Sequence, residues 1–335
     1  MKRFLFALAL LTAMTFGLGA QNIVRIGIIG LDTSHSPAFA KYLNNKDSKD
    51  PNVQKYEVVA AYPYGTKNIK SATSRIPKYI EEVKKYGLTI TNSISELLGM
   101  VDCVFLETND GNLHLEQAAE VFKAGKKIYI DKPLGATLGQ AIAIYDLAER
   151  YGAKFFSSSA VRFTVQNVKI RNGEYGKILG ADTYSPHHPE KTHPDFGYYG
   201  LHGIEALYSI MGTGCESVNR MHTEQGDIVV GQWKGGRIGS FRGITQGPYI
   251  YGGTVITEKG AIPAGGYTGY EVLLDQILKF FETGVSPISK EETLELFTFM
   301  KASNMSMARG GRIVTMAEAW KAGQKDARKL LKAYR

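Results

Sequence analysis

Val24-Arg25-Ile26-Gly27-Ile28-Ile29-Gly30-Leu31-Asp32-Thr33-Ser34-His35-Ser36-Pro37 is the stretch that decides the fold. Its first half is a run of β-branched residues suited to a buried strand. The run breaks at Gly30 and re-enters a helical pattern, for which Ser36 is the expected N-cap and Pro37 the first helical residue. A strand, a glycine turn and a helix start form the layout of a dinucleotide-binding βα unit, whose helix N-terminus attracts pyrophosphate. The glycine fingerprint of such units, G-x-G-x-x-G, keeps only its first member, Gly30. Asp32 and His35 stand in the second and third glycine positions. A carboxylate a few ångströms from pyrophosphate costs about 1–4 kcal/mol at intermediate dielectric, and it obstructs the close approach that glycine allows. Thr33, Ser34 and His35 offer hydrogen bonds to phosphate in compensation.

Upstream of this unit, Lys2 and Arg3 precede an apolar stretch from Phe4 to Phe16 and the small-residue segment Gly17-Leu18-Gly19-Ala20. That pattern reads as a secretory signal peptide over 1–20, because the apolar stretch is short for a membrane span. It predicts a periplasmic or extracellular protein that has no membrane attachment after cleavage. Loss of residues 1–20 leaves 315 of 335 residues and lowers the formal charge from +8 to +6. That length supports two domains with their own cores. The Lys and Arg residues are scattered, which argues against nucleic-acid binding. Cys103 and Cys215 are the only cysteines, so no disulfide framework is implied.

Downstream, apolar runs alternate with amphipathic stretches as far as Ser159. Strands are expected at Tyr56 to Ala61, Leu88 to Ile90, Val101 to Leu106, Lys127 to Ile130 and Lys154 to Ser159, with helices between them. This alternation predicts an α/β domain over 21–160, a Rossmann-like doubly wound parallel sheet. Ligands of such sheets lie at the carboxyl ends of the strands; Gly30, Tyr62, Thr108 and Lys132 fall at those ends. An acid to hold a ribose hydroxyl is missing after the second strand, where Lys67 and Arg75 are the charged residues instead. Residues 161–335 read differently. Four alternating strands, Ser217 to Thr223, Asp227 to Trp233, Arg237 to Ile244 and Tyr249 to Thr257, follow a polar loop and a helix from about Gly200 to Met211, and two helices and a basic helical tail close the chain. This predicts an α+β domain with a mostly antiparallel sheet.

Four of the seven histidines, His187, His188, His193 and His202, lie within sixteen residues, near Glu190, Asp195 and Glu205. Imidazoles and carboxylates are the usual zinc ligands, but the spacing matches no ligand motif, so no metal is assigned. A substrate-lining loop is expected, with Phe196, Tyr198 and Tyr199 available to stack on a sugar face.

Asp131-Lys132-Pro133 resembles the Glu-Lys-Pro motif of the Gfo/Idh/MocA oxidoreductases, a family named for glucose–fructose oxidoreductase, inositol dehydrogenase and a rhizopine-catabolism protein. Thr108-Asn109 lies where members usually carry Thr-Pro-Asn near the nicotinamide ribose. Gly200-Leu201-His202-Gly203-Ile204-Glu205 is similar to the family's Asp-x-Gly-x-His-x-x-Asp segment, with Tyr198 replacing the first acid. The resemblance covers nearly all of the mature chain. It implies a sugar or cyclitol dehydrogenase using NAD or NADP, and a homo-oligomer formed through the C-terminal sheet. On the residues that match, it assigns catalysis to Lys132 and His202. Cofactor contacts fall to Gly30, Leu31, Thr33, Ser34, His35, Thr108, Asn109 and Asp131. Substrate contacts fall to His187, His188, His193, Tyr198 and Glu205. Oxidising a secondary alcohol needs a base for the hydroxyl proton and a cation for the developing alkoxide, tasks that suit a histidine and a lysine. The altered glycine turn keeps two alternatives open: a redox-neutral, NAD-dependent glycosidase-like enzyme, and a non-catalytic sugar-binding protein.

Overall fold

A computed structural model describes residues 23–334; the expected signal peptide lies outside the described residues. The first sheet follows the apolar runs. Strands β1 (Val24–Ile29), β2 (Tyr56–Tyr62), β3 (Thr89–Ile90), β4 (Cys103–Leu106), β5 (Lys127–Ile130) and β6 (Phe155–Phe156) pair in parallel in the order β3-β2-β1-β4-β5-β6. Between them run α1 (His35–Leu43), α2 (Pro51–Lys55), α3 (Lys70–Thr73), α4 (Ile76–Lys84), α5 (Ile94–Leu98), α6 (His114–Lys123) and α7 (Leu138–Tyr151).

The two faces of this sheet bury alternate residues, as the two-residue period of a strand requires. Val104, Leu106, Ile128 and Ile130 face α5, α6 and α7. Ile26, Ile28, Phe105 and Tyr129 face α1, α4 and a helix from far along the chain, α10 (Glu271–Thr283). Gly27 lets α5 close on β1, because a Cβ there would stand 2.6 Å from a methyl of Leu97.

The second half contains α8 (Val165–Arg171), β7 (Ile178–Pro186) and α9 (Leu201–Met211). Strands β8 (Cys215–Thr223), β9 (Gly226–Trp233), β10 (Ile238–Ile244), β11 (Gly252–Thr257) and β12 (Gly260–Ala264) follow. After α10 come α11 (Lys290–Ala308), β13 (Val314–Thr315) and α12 (Met316–Leu330). The seven strands order as β12-β11-β7-β10-β9-β8-β13, antiparallel except for the parallel pair β7–β10. One face packs on α9, whose Leu201, Ile204 and Leu207 are buried. Cys103 and Cys215 are buried free thiols. Among the described residues, no helix is long and apolar enough to cross a membrane.

Two local expectations change. Helix α1 begins at His35 rather than Pro37, and Ser34 flanks it without a side-chain capping bond. Ser36 Oγ instead donates 2.8 Å back to the Gly30 carbonyl, closing the turn on itself. The expected strand from Tyr249 begins only at Gly252, which leaves Tyr249 and Tyr251 outside the sheet.

Candidate active site between the two sheets

The glycine turn has no room for a side chain at its first residue. Gly30 has φ +90°, and a Cβ there would stand 2.6 Å from the backbone nitrogen of Thr108, so no other residue fits without moving β4. The Gly30 and Leu31 N–H groups donate to the carbonyls of Tyr62 (2.8 Å) and Pro63 (3.0 Å). Leu31 itself sinks into the core.

Asp32 does not face outward. Its side chain is fully buried, and it accepts the backbone N–H groups of Thr66 (2.9 Å) and Asn109 (3.0 Å). One carboxylate thus ties together the loops after β1, β2 and β4. Burial raises its pKa above the usual carboxylate value, although these hydrogen bonds pull the other way. The repulsion expected from the sequence is therefore turned away from the helix N-terminus.

A cavity of about 330 Å³ opens where the strand ends of the first sheet meet the second half of the chain. From the first half it is lined by Thr33, Ser34, His35, Asn109, Asp131 and Lys132; from the second, by Tyr198, Tyr199 and His202. The sequence expectations thus bring together nine residues at one place. Lys132 enters from the end of β5, and its Nζ lies 5.9 Å and 5.8 Å from the ring centres of Tyr198 and Tyr199, a cation–π arrangement. Asn109 Nδ2 donates to Tyr198 Oη at 2.9 Å.

His202 sits in the first turn of α9, with Nδ1 2.7 Å from Ser159 Oγ. Burial and the nearby charge of Lys132 hold its pKa well below the ordinary histidine value, so the ring is neutral at neutral pH.

His35, in the third glycine position, lies over the ends of β4 and β5. Its Nδ1 is 3.1 Å from Asp131 Oδ1 and 3.4 Å from Glu107 Oε2. Burial opposes a charge on this imidazole, but the carboxylates outweigh it and raise its pKa well above the usual value. Burial, and then Asp131, push Glu107 up to about 7. The Tyr270 ring packs edge-on against His35 with centres 4.3 Å apart, and its hydroxyl lies 3.0 Å from Ser34 Oγ.

The remaining expected residues are placed elsewhere. Thr108 is buried behind the turn, and His114 spans its carbonyl (2.7 Å) and that of Pro133 (2.8 Å). His187 is buried against Phe196, 3.6 Å from Asp227. His193 is buried too, and its Nε2 accepts the Gly111 N–H at 3.1 Å. Glu205 receives Arg162 Nε at 2.6 Å and Ser158 Oγ at 2.8 Å, inside an ion cluster that Glu292 completes. These three side chains serve internal contacts and do not line the cavity. His188 lies tilted against Tyr249 with ring centres 4.7 Å apart and does not line the cavity.

Sequence reasoning missed Ser159, Tyr249, Tyr251, Tyr267 and Tyr270, all on the cavity wall. The signal of the four tyrosines was their place in glycine-rich, weakly patterned segments, Tyr249-Ile250-Tyr251 and Tyr267-Thr268-Gly269-Tyr270.

Residues 24–159 match the sequence model of the Gfo/Idh/MocA family, described as an oxidoreductase family with an NAD-binding Rossmann fold. Over that segment the chain is similar to members of this family. Solved structures extend the likeness of fold across most of the chain. A probable dehydrogenase from Thermotoga maritima is 21% identical, with a TM-score of 0.72 over 88% of this chain and 100% of its own. The myo-inositol dehydrogenase of Lactobacillus casei, solved with NAD(H) and myo-inositol, is 16% identical, with a TM-score of 0.68 over 88% and 96%. The scyllo-inositol dehydrogenase of the same organism, solved with NAD(H) and scyllo-inositol, is 15% identical, with a TM-score of 0.70 over 88% and 99%. No curated protein matches the chain.

The residues present fit the family's nucleotide. Gly30 keeps the tight turn, and Asp32 spends its charge on backbone N–H groups inside the fold. Thr33, Ser34 and Asn109 present hydrogen-bonding groups on the cavity wall.

Proposed function

We propose that the protein is an exported dehydrogenase that oxidises or reduces a hydroxyl-bearing carbon of a carbohydrate or cyclitol with NAD or NADP. The observation that carries the reading is that Lys132, from the first sheet, and His202, from the second half, line one cavity. When bound, the nicotinamide supplies the hydride acceptor or donor. Thr33, Ser34 and Asn109 hold its ribose–phosphate side. His202, neutral and fixed at Nδ1 by Ser159, takes the hydroxyl proton at its other ring nitrogen. Lys132 stabilises the negative charge that develops on the substrate oxygen. Tyr198, Tyr199, Tyr249 and Tyr251 supply flat apolar faces for the C–H side of a sugar ring.

The reading includes a homo-oligomer that forms through the second sheet. Leu179, Met221, Ile238 and Ile256 are exposed large apolar residues on its strands, which supports burial against another copy. Light scattering of the mature chain tests that part.

The central test is nicotinamide absorbance during turnover with a panel of inositols and sugars. Lys132→Ala and His202→Ala should each lower turnover at least about a hundredfold, with NAD affinity within about threefold of wild type. Retained turnover in both variants would sink the assignment. Product formation without net change in nicotinamide absorbance would favour redox-neutral sugar chemistry.

A further inference from the structure

We propose that His35, Glu107 and Asp131 form a binding site for one divalent first-row cation, zinc or manganese, at the floor of the cavity. The three come from the first residue of α1 and the ends of β4 and β5, and one ligand atom from each lies within 4.8 Å of the others.

The spacing has the scale of a coordination shell. Ligand atoms at about 2.1 Å from a tetrahedral zinc are about 3.4 Å apart. His35 Nδ1 lies 3.1 Å from Asp131 Oδ1 and 3.4 Å from Glu107 Oε2. One nitrogen and two carboxylate oxygens suit zinc or manganese.

The hydrogen bonding points the same way. An imidazolium has a single hydrogen on Nδ1, and here that atom faces two carboxylates. One N–H cannot satisfy both. Among the described residues, neither oxygen of Glu107 receives a hydrogen bond, and Oδ2 of Asp131 receives none. Both acids are fully buried. Carboxylate oxygens left bare inside a protein are costly, and a dication bound to a neutral imidazole removes that cost through all three ligands.

The site has an open side. His35 and Asp131 also line the cavity and Glu107 does not, which gives a cation held by all three access to the cavity. A cation with an open position holds a substrate oxygen as a Lewis acid. The proposal is independent of the dehydrogenase reading and stands or falls on metal binding alone.

The test uses the chain from Gln21 onward, stripped with a chelator and titrated with Zn²⁺ and with Mn²⁺ by calorimetry. One equivalent should bind with a Kd in the micromolar range or tighter, about −8 kcal/mol at 1 µM. His35→Ala and Glu107→Gln should each weaken binding about a hundredfold, while His222→Ala, at an exposed histidine on β8, leaves it unchanged. Circular dichroism confirms that each variant is folded. If either variant does not fold, the visible spectrum of Co²⁺-loaded wild type decides: ligand-field bands of a four- or five-coordinate ion support the site. No saturable binding by wild type overturns the proposal, and so does undiminished binding by folded His35→Ala. Nicotinamide affinity, titrated separately by fluorescence, reports on the dehydrogenase reading without bearing on this one.

Discussion

The carboxylate of Asp32 accepts the backbone N–H of Asn109 at 3.0 Å, across a sequence gap of 77 residues. The residue that reads as an obstruction to phosphate is a clasp between strand ends. Its second oxygen accepts the Thr66 N–H, so removing the side chain orphans two buried donors. Asp32→Ala should cost about 2–4 kcal/mol of stability. Urea unfolding checks the loss. A gain in NAD affinity on Asp32→Gly, despite this loosening, would show that the carboxylate also repels the cofactor.

Glu205 stands on the acid of the family segment but serves the fold. It pairs with Arg162, which is buried and also meets Glu292. Glu205→Ala removes one partner of a buried ion cluster and should destabilise by about 3–5 kcal/mol. Substrate KM of the folded fraction should stay within about twofold of wild type. A selective rise in KM with stability intact would restore a substrate role to this acid.

If His202 is the base, Ser159 positions it through the 2.7 Å contact at Nδ1. Ser159→Ala should lower kcat about tenfold with little change in KM. Ser159→Thr, which keeps the hydroxyl, should restore most of the rate. Equal losses in both variants would mean that packing, rather than the hydrogen bond, is what matters.

His193 gives the fold an acid limit. Burial lowers its pKa to about 4, while in the unfolded chain it titrates near the ordinary value of about 6.5. Between those values the unfolded state binds more protons. Stability is therefore present above about pH 6.5 and is lost as pH falls toward 4, by up to about 3 kcal/mol. His193→Gln, whose amide oxygen can still accept the Gly111 N–H, should be flatter over that interval. Denaturant midpoints measured at half-unit pH steps show the difference.

Tyr251 lines the cavity from the segment just before β11. If it stacks on a sugar ring, Tyr251→Ala should raise KM about tenfold, in line with about 1–1.5 kcal/mol for such a contact. Tyr251→Phe should behave as wild type.

The parts of this molecule that were legible in the sequence are those set by neighbours in the chain. The parallel sheet follows from apolar runs at strand length. The placing of Gly30, Tyr62, Thr108 and Lys132 at strand ends follows from the same runs. His202 stands out through its likeness to the family's histidine segment. Contacts between distant segments were not legible. No pattern around Asp32 announces that Thr66 and Asn109 will offer it N–H groups. Glu205 and Arg162 are 43 residues apart, and nothing local marks them as a pair. The wall of tyrosines comes from loops whose irregular patterning conceals which way each ring turns. The histidine-rich loop misled for the same reason: composition marked the segment, but burial sent His187 and His193 inward.

Helix α10 covers one face of the first sheet with Leu273, Leu274, Ile277, Leu278, Phe280 and Phe281, all buried. The chain is therefore not finished in the order in which it is written. Ile28, Phe105 and Tyr129 emerge from the ribosome more than a hundred residues before the helix that shields them. Until residue 283 is made, the first sheet carries an apolar face that α1 and α4 cover only in part, and a fragment cut at residue 160 keeps that opening for good. Such a fragment should aggregate where the full chain stays in solution.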